Sequence, residues 1–200
     1  MKPIQMWAAG FLGAATLLPL SAHAEGPYVG GSALYANRPG YDDVDGSFGG
    51  KVFAGYRFAP FPLFIEASYL NTGNADVDPG YGGDDERIKL SFSGYTIGAG
   101  YFLPLSSYGS GVWARVSYYD GDTKEKTPDD PVSGSRKLSA SGGSFAIGAD
   151  WKLNPWTGIR FEYEDLIEPD DFADSESIGV FSLGVIFDFP MASAPSRTRY

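Results

Sequence analysis

From Gly143 to Leu153 the side chains alternate: Phe145, Ile147, Ala149, Trp151 and Leu153 share one face, and Ser144, Ala146, Gly148, Asp150 and Lys152 the other. A period of two with one greasy side is the signature of a strand that is apolar on one face only. The same split sets Phe48, Val52, Ala54, Tyr56 and Phe58 against Lys51, Gly55 and Arg57, with Phe53 intruding on the polar side. Leu63, Ile65, Ala67 and Tyr69 oppose Glu66 and Ser68, and Val112, Ala114, Val116 and Tyr118 oppose Arg115 and Ser117. Ile159, Phe161 and Tyr163 oppose Arg160, Glu162 and Glu164. Helical periodicity is weak throughout.

This pattern predicts eight strands, near 27–36, 47–58, 62–71, 87–103, 110–120, 143–153, 157–165 and 177–189. Lengths near ten residues suit a tilted strand crossing a bilayer. The connections alternate in length. Those around Ala59-Pro60-Phe61, Pro104 to Tyr108 and Asn154-Pro155-Trp156 are short, whereas 37–46, 72–86, 121–142 and 166–176 are long, polar and rich in turn residues. An even strand number with tight turns at one end and long loops at the other predicts an all-β fold: an eight-stranded antiparallel up-and-down transmembrane barrel with periplasmic termini. Hydrocarbon offers the backbone no hydrogen bonds, so every strand N–H and C=O must pair within the sheet, and closure removes the unpaired edges. A soluble barrel would instead turn its apolar face inward, so the direction of the greasy face is the decisive expectation.

The N-terminus reads as an address rather than structure. Lys2 precedes the apolar run Trp7 to Leu20, and Ser21-Ala22-His23-Ala24 ends it with an A-x-A site. This is a signal peptide cleaved after Ala24, too short and too interrupted by Thr16 and Pro19 to span a bilayer. The expected organisation is residues 1–24 as signal, 25–189 as barrel and 190–200 as a periplasmic tail whose Pro, Ser and Ala offer no core. Cleavage removes His23, the only histidine, from a chain that has no cysteine. The mature protein therefore lacks cysteine nucleophiles, disulfides, Cys zinc sites and histidine general bases.

Charge narrows the function further. The 200 residues carry 15 Lys plus Arg against 25 Asp plus Glu, a net charge of −10, which opposes binding to nucleic-acid phosphates. The acids concentrate in the long loops: Asp42, Asp43 and Asp45; Asp76, Asp78, Asp84, Asp85 and Glu86; Asp122, Glu125, Asp129 and Asp130; Glu168, Asp170, Asp171, Asp174 and Glu176. Facing a phosphate-rich leaflet they would repel it unless divalent cations bridged the two, although solvated loop tips are the plainer reading. Asn74 to Asp78 with Asp85 places oxygens at calcium-loop positions, but Pro79 replaces the required glycine and Asp85 the bidentate Glu. No metal site is expected, and Asp76, Asp78 and Asp85 stay as weak, low-affinity cation candidates.

The polar strand faces hold the candidate interior network: Lys51, Arg57, Glu66, Lys89, Arg115, Asp150, Lys152, Arg160, Glu162 and Glu164. Both signs at mid-strand depth imply pairing, because an unpaired buried charge carries a steep desolvation cost. Arg57 with Glu66, and Asp150 with Arg160, are the pairs expected across short turns, within a network threaded by water. Eight strands enclose a lumen that side chains fill, which argues against a general porin and favours structural filling over a narrow gate. Aromatics fall at strand ends, with Tyr56, Phe58, Phe102, Trp151, Phe187 and Phe189 toward the turns and Tyr35, Phe48, Tyr69, Tyr118 and Tyr163 toward the loops, as interfacial girdles require.

The last strand, Ser177 to Phe189, carries Ser182, Gly184, Phe187 and Phe189 in the arrangement of an outer-membrane insertion signal. With Gly49 to Phe58, Glu66 to Tyr69 and Gly158 to Tyr163, it makes the chain resemble the small eight-stranded outer-membrane barrels related to the OmpA transmembrane domain and OmpX, the porin-family outer-membrane β-barrel domains. The resemblance covers nearly all of the mature chain, departing from it where residues 190–200 continue past the closing strand. It implies a Gram-negative outer-membrane location, lipid and lipopolysaccharide as surroundings, and the barrel assembly machinery as a partner during insertion. It also implies a non-enzyme, since the barrel hydrolases and acyltransferases of that membrane use a histidine. The expected function is structural or surface-interactive, with acidic extracellular loops, a closed lumen, no cofactor and, through the loops, divalent cations as partners. A narrow ion or small-solute channel is the alternative, and an adhesion protein a further one.

Overall fold

The computed structural model describes residues 26–37, 46–58, 61–77, 88–107, 109–126, 136–167 and 177–189. The predicted signal peptide, the tail and the tips of the four long loops lie outside the described residues. The strands are β1 (Gly26–Asn37), β2 (Ser47–Arg57), β3 (Leu63–Asn71), β4 (Ala75–Val77), β5 (Ile88–Pro104), β6 (Gly111–Lys126), β7 (Arg136–Asn154), β8 (Thr157–Ile167) and β9 (Ser177–Asp188). Every pairing is antiparallel, β1 joins β9, and β3 joins β5, so the sheet closes on itself. Eight strands form the ring, and β4 is a three-residue continuation that pairs with β5.

The break between β3 and β4 has a local cause. Gly73 has a φ of 73°, and a Cβ there would lie 2.1 Å from the Phe48 carbonyl oxygen, so only glycine fits. Thr72 nevertheless keeps its bonds to β5, donating its N–H to the Phe92 carbonyl at 2.9 Å and accepting the Phe92 N–H on Oγ1 at 3.0 Å.

The greasy faces point outward. β3 alternates exposed and buried along its whole length. Val52, Ile97, Val116 and Trp151 are each at least 60% exposed, whereas Glu66, Arg115, Asp150 and Arg160 are at most 2% exposed. A water-soluble fold shows the reverse distribution, and a wall bathed in lipid requires this one. The soluble-barrel arrangement, with its apolar face turned inward, is thereby excluded. Outward apolar positions on β5 run from Leu103 to Tyr95, a rise of about 20 Å for strands tilted by ~40°, close to the ~25 Å apolar band of such barrels.

Two expectations about element limits are corrected. β6 continues to Lys126 and β7 begins at Arg136, so the third long connection is far shorter than 121–142. Asp120-Gly121-Asp122 has the composition of a turn, yet it pairs with Ser93 to Tyr95 on one side and Ser139 to Ser141 on the other. Main-chain pairing with two neighbours outweighs a turn-like composition.

Candidate functional site: a cross-braced lumen

Inward positions divide the lumen by depth. Toward the loop end, Leu34, Leu70, Phe92, Tyr119, Leu166 and Val180 are buried together with Ala36 and Ile178 in one apolar cluster. Toward the turn end, Tyr28, Phe53, Phe64, Phe102 and Trp113 form a second, with Ala146 and Ile186. Two of these rings extend over the neighbouring strand where glycine leaves room for them. Tyr28 is directly across from Gly55, and Trp113 from Gly148, where a Cβ would approach the indole to 2.3 Å.

Between and among the rings lies the ionic network. Lys51 Nζ donates to Glu162 Oε1 and Glu164 Oε2, both at 2.7 Å. Arg115 donates to both of those carboxylates at 2.9 Å and also to Glu66. Glu66 accepts further bonds from Arg160 at 2.5 Å and from the Tyr28 hydroxyl at 2.9 Å. Asp150 accepts from Arg160 Nε at 2.8 Å, Arg57 at 2.5 Å and the Trp113 indole N–H at 3.2 Å. Asp188 takes Arg57 and Lys152. Five cations, Lys51, Arg57, Arg115, Lys152 and Arg160, thus meet five carboxylates, Glu66, Asp150, Glu162, Glu164 and Asp188, and the charges cancel. Aromatic faces stabilise the guanidiniums further, with Arg160 4.4 Å from the Phe53 ring centroid and Arg57 4.7 Å from that of Tyr28.

The expected residues fall into place unevenly. Asp150 and Arg160 meet as anticipated from the turn between β7 and β8. Arg57 and Glu66 do not form the expected pair. They stand on adjacent strands two positions out of register, since Gly55 faces Glu66 and Arg57 faces Phe64. A guanidinium is long enough to reach past its neighbour to the barrel axis, so Arg57 binds Asp150 and Asp188 instead. Lys89 pairs through its backbone with Asp76 and Lys126 near the loop end, away from the network's depth. Its side chain, that of Asp76, and Asp78 and Asp85 altogether lie outside the described residues. Among the described residues no cluster of acids is arranged to hold a metal ion.

Sequence reasoning missed Asp188, Tyr28 and Trp113. Asp188 could have been found, because it alternates with the outward Phe187 and Phe189. Ser182 and Gly184 lie on its inward side of β9. Ser182 stands opposite Glu162 in the register. The Ser182 hydroxyl and Glu162 Oε2 are both buried and find no hydrogen-bond partner among the described residues.

Outside, the girdles hold with one correction: Phe102 is buried in the lumen rather than at the turn-end interface. Tyr95, Trp156 and Phe181 join the exposed rings. Cross-strand pairs knit the loop-end girdle, Tyr69 with Tyr95 at 5.0 Å and Tyr163 with Phe181 at 4.7 Å between centroids.

The closed sheet, the lipid-facing belt and the ionic lumen accompany a family-level match: the model of the outer membrane protein beta-barrel domain matches residues 8–189. The chain belongs to that family. It is therefore a barrel of the bacterial outer membrane. Its fold resembles that of neisserial surface protein A, with a TM-score of 0.56 and 17% identity over 84% of this chain and 100% of that one. It is similarly close to Ail, the attachment invasion locus protein of Yersinia pestis, in complex with the heparin analogue sucrose octasulfate. There the TM-score is 0.54 and the identity 17%, over 82% of this chain and 97% of Ail. No curated protein matches the outer-membrane barrel in sequence.

Proposed function

We propose that this chain is a structural, surface-interactive outer-membrane barrel without enzymatic activity, whose lumen is sealed and whose acidic loops engage cations at the outer surface. The observation that carries the sealed lumen is the apolar layer of Leu70, Phe92, Tyr119 and Leu166 lying beyond a charge-cancelled network. An ion entering from outside would leave water for hydrocarbon-like walls, then meet carboxylates already occupied by arginine and lysine. The channel reading requires both obstacles to open.

The loop sequences favour cations over polyanions. Glu168, Asp170, Asp171, Asp174 and Glu176 in one loop alone would repel a sulfated ligand of the kind bound to Ail, and the likeness to Ail is one of fold. Divalent cations bridging these acids to lipopolysaccharide phosphate fit the chemistry better. Within the same reading, residues 1–24 are removed on export. Ser182, Gly184, Phe187 and Phe189 present the closing strand to the barrel assembly machinery, and residues 190–200 remain as a periplasmic tail.

Planar-bilayer recording of the folded barrel tests the proposal. The expected result is no discrete conductance. Unitary openings that change in size on Arg57→Gln or Glu66→Gln would establish the narrow channel instead. For the loops, binding to immobilised heparin should be absent, and binding to lipopolysaccharide should require magnesium.

A further inference from the structure

The pairing that closes the ring joins β1 to β9, strands from opposite ends of the described chain, and no connection between them limits how far one slides along the other. In a hairpin the turn fixes the register; here that task falls to side chains. The seam itself discriminates little. Gly30, Gly31, Ser32 and Ala33 of β1 lie across from Ile186, Val185, Gly184 and Leu183 of β9. A slip of two residues keeps every side chain on its own face, because the strand period is two. On the lipid side it would replace Leu183 beside Ala33 by Val185 or Phe181, and all three suit hydrocarbon.

The ion pairs discriminate sharply. Those that cross the seam tie β2 and β3 to β7, β8 and β9: Lys51 with Glu162 and Glu164, Glu66 with Arg160, and Arg57 with Asp150 and Asp188. Two residues of strand are about 7 Å, more than an ion pair tolerates. Sliding β7, β8 and β9 by that amount toward the turn end brings Glu162 to the level of Glu66, and leaves Arg57 beside Gly148 and Ile186. Sliding them toward the loop end brings Arg160 to Lys51 and Lys152 to Arg57, and leaves Glu66 beside Gly158. Either slip sets like charges together or buries a charge with no partner, and buried sites penalise both heavily. We propose that the ionic network selects the register in which the barrel closes, because it matches only one of the registers that the seam permits. An apolar lumen of the same volume would accept slipped closures far more readily, since aliphatic side chains tolerate new neighbours. The inference is independent of what the loops bind and of whether the lumen conducts.

The test is disulfide trapping of the seam, which is clean because the chain has no cysteine. Ala33→Cys with Leu183→Cys reports the observed register. Ala33→Cys with Phe181→Cys, or with Val185→Cys, reports the two slips, since diagonal neighbours stand about 7–8 Å apart and cannot be bridged in the observed register. Barrels refolded from urea into lipid vesicles are oxidised and their crosslinks read by mass spectrometry. With the network intact only the first pair should crosslink. A variant with the five cations replaced by Met and the five carboxylates by their amides should crosslink a slipped pair, and the ratio of slipped to observed register should rise at least about tenfold. Phe92→Ala, which weakens the barrel without touching a charge, should keep the observed register alone. Should the fully neutral variant fail to fold, as judged by heat-modifiable gel migration, Arg57→Met with Asp188→Asn should show the same change in register. A folded neutral variant that closes only in the observed register overturns the proposal, as does equal slipping by Phe92→Ala. If neither neutral variant folds, the network is needed for folding itself rather than for choosing among closures, and the proposal fails.

Discussion

Glu66 and Arg160 meet at 2.5 Å although 94 residues separate them in sequence. They stand on β3 and β8, which are diametrically opposed in the eight-stranded ring. Arg57 on β2 and Asp150 on β7 form a second such strut at 2.5 Å, again between opposite staves. Neighbouring strands are already joined by backbone hydrogen bonds. These side chains join strands that the sheet itself does not connect.

Glu66→Ala should therefore be costly. It leaves Arg115 and Arg160 buried with part of their compensation gone, and breaking such a pair costs about 3–5 kcal/mol. Urea titration of the barrel in lipid vesicles should show a large drop in the unfolding midpoint. A change comparable to that of an exposed-loop substitution would contradict the strut assignment.

The network should also ignore salt. The side chains of Glu66, Glu162, Glu164, Arg115 and Lys51 are at most 1% exposed, and screening acts chiefly on charges that ions can approach. Repeating the titration at low and high sodium chloride should leave the difference between wild type and Glu66→Ala unchanged. A difference that shrinks with salt would place those charges in contact with solution.

Packing at the loop end makes a separate prediction. Phe92 is buried edge-on to Tyr119, with ring centroids 6.1 Å apart. Phe92→Ala should destabilise the barrel by about 3–5 kcal/mol through the cavity it leaves. The same variant thins the apolar layer, so a rise in bilayer conductance relative to wild type would follow if that layer is the seal.

Gly148 tests the cross-strand fit of the aromatics. A Cβ at this position would lie 2.3 Å from Trp113 and 2.6 Å from the Phe161 carbonyl oxygen. Because one obstacle is backbone, rotating the indole cannot relieve both contacts. Gly148→Ala should cost about 1–3 kcal/mol, visible as unfolding at lower temperature in heat-modifiable gel migration.

Val116→Arg distinguishes this barrel from a soluble one. Val116 is 63% exposed, and an exposed-site substitution in water is nearly neutral. Facing hydrocarbon near mid-depth, the same change should cost about 2–4 kcal/mol. Stability measured in vesicles against that in detergent micelles would locate the effect in the bilayer.

The direction of each residue was readable along the chain, and its partner was not. Alternation placed Glu162 and Glu164 on one face and Phe161 and Tyr163 on the other, since a strand turns successive side chains to opposite sides. Strand-end position alone assigns the Phe102 ring to a girdle, whereas parity with Gly100, which faces the inward Phe64, assigns it to the lumen. Asp188 likewise points inward between the outward rings of Phe187 and Phe189. The extensions of β6 and β7 were hidden by turn-like composition that only their neighbours override.

What the chain determines locally is the number of strands, their order, the lipid-facing belt and the pool of charges that must enter the lumen. These follow from a two-residue period, turn chemistry and the absence of hydrogen-bonding partners in hydrocarbon. Which carboxylate each arginine finds was decided by closure. Once β1 meets β9 and β3 meets β5, opposite walls come within reach of a guanidinium, and a lateral pairing of Arg57 with Glu66 gives way to struts across the axis.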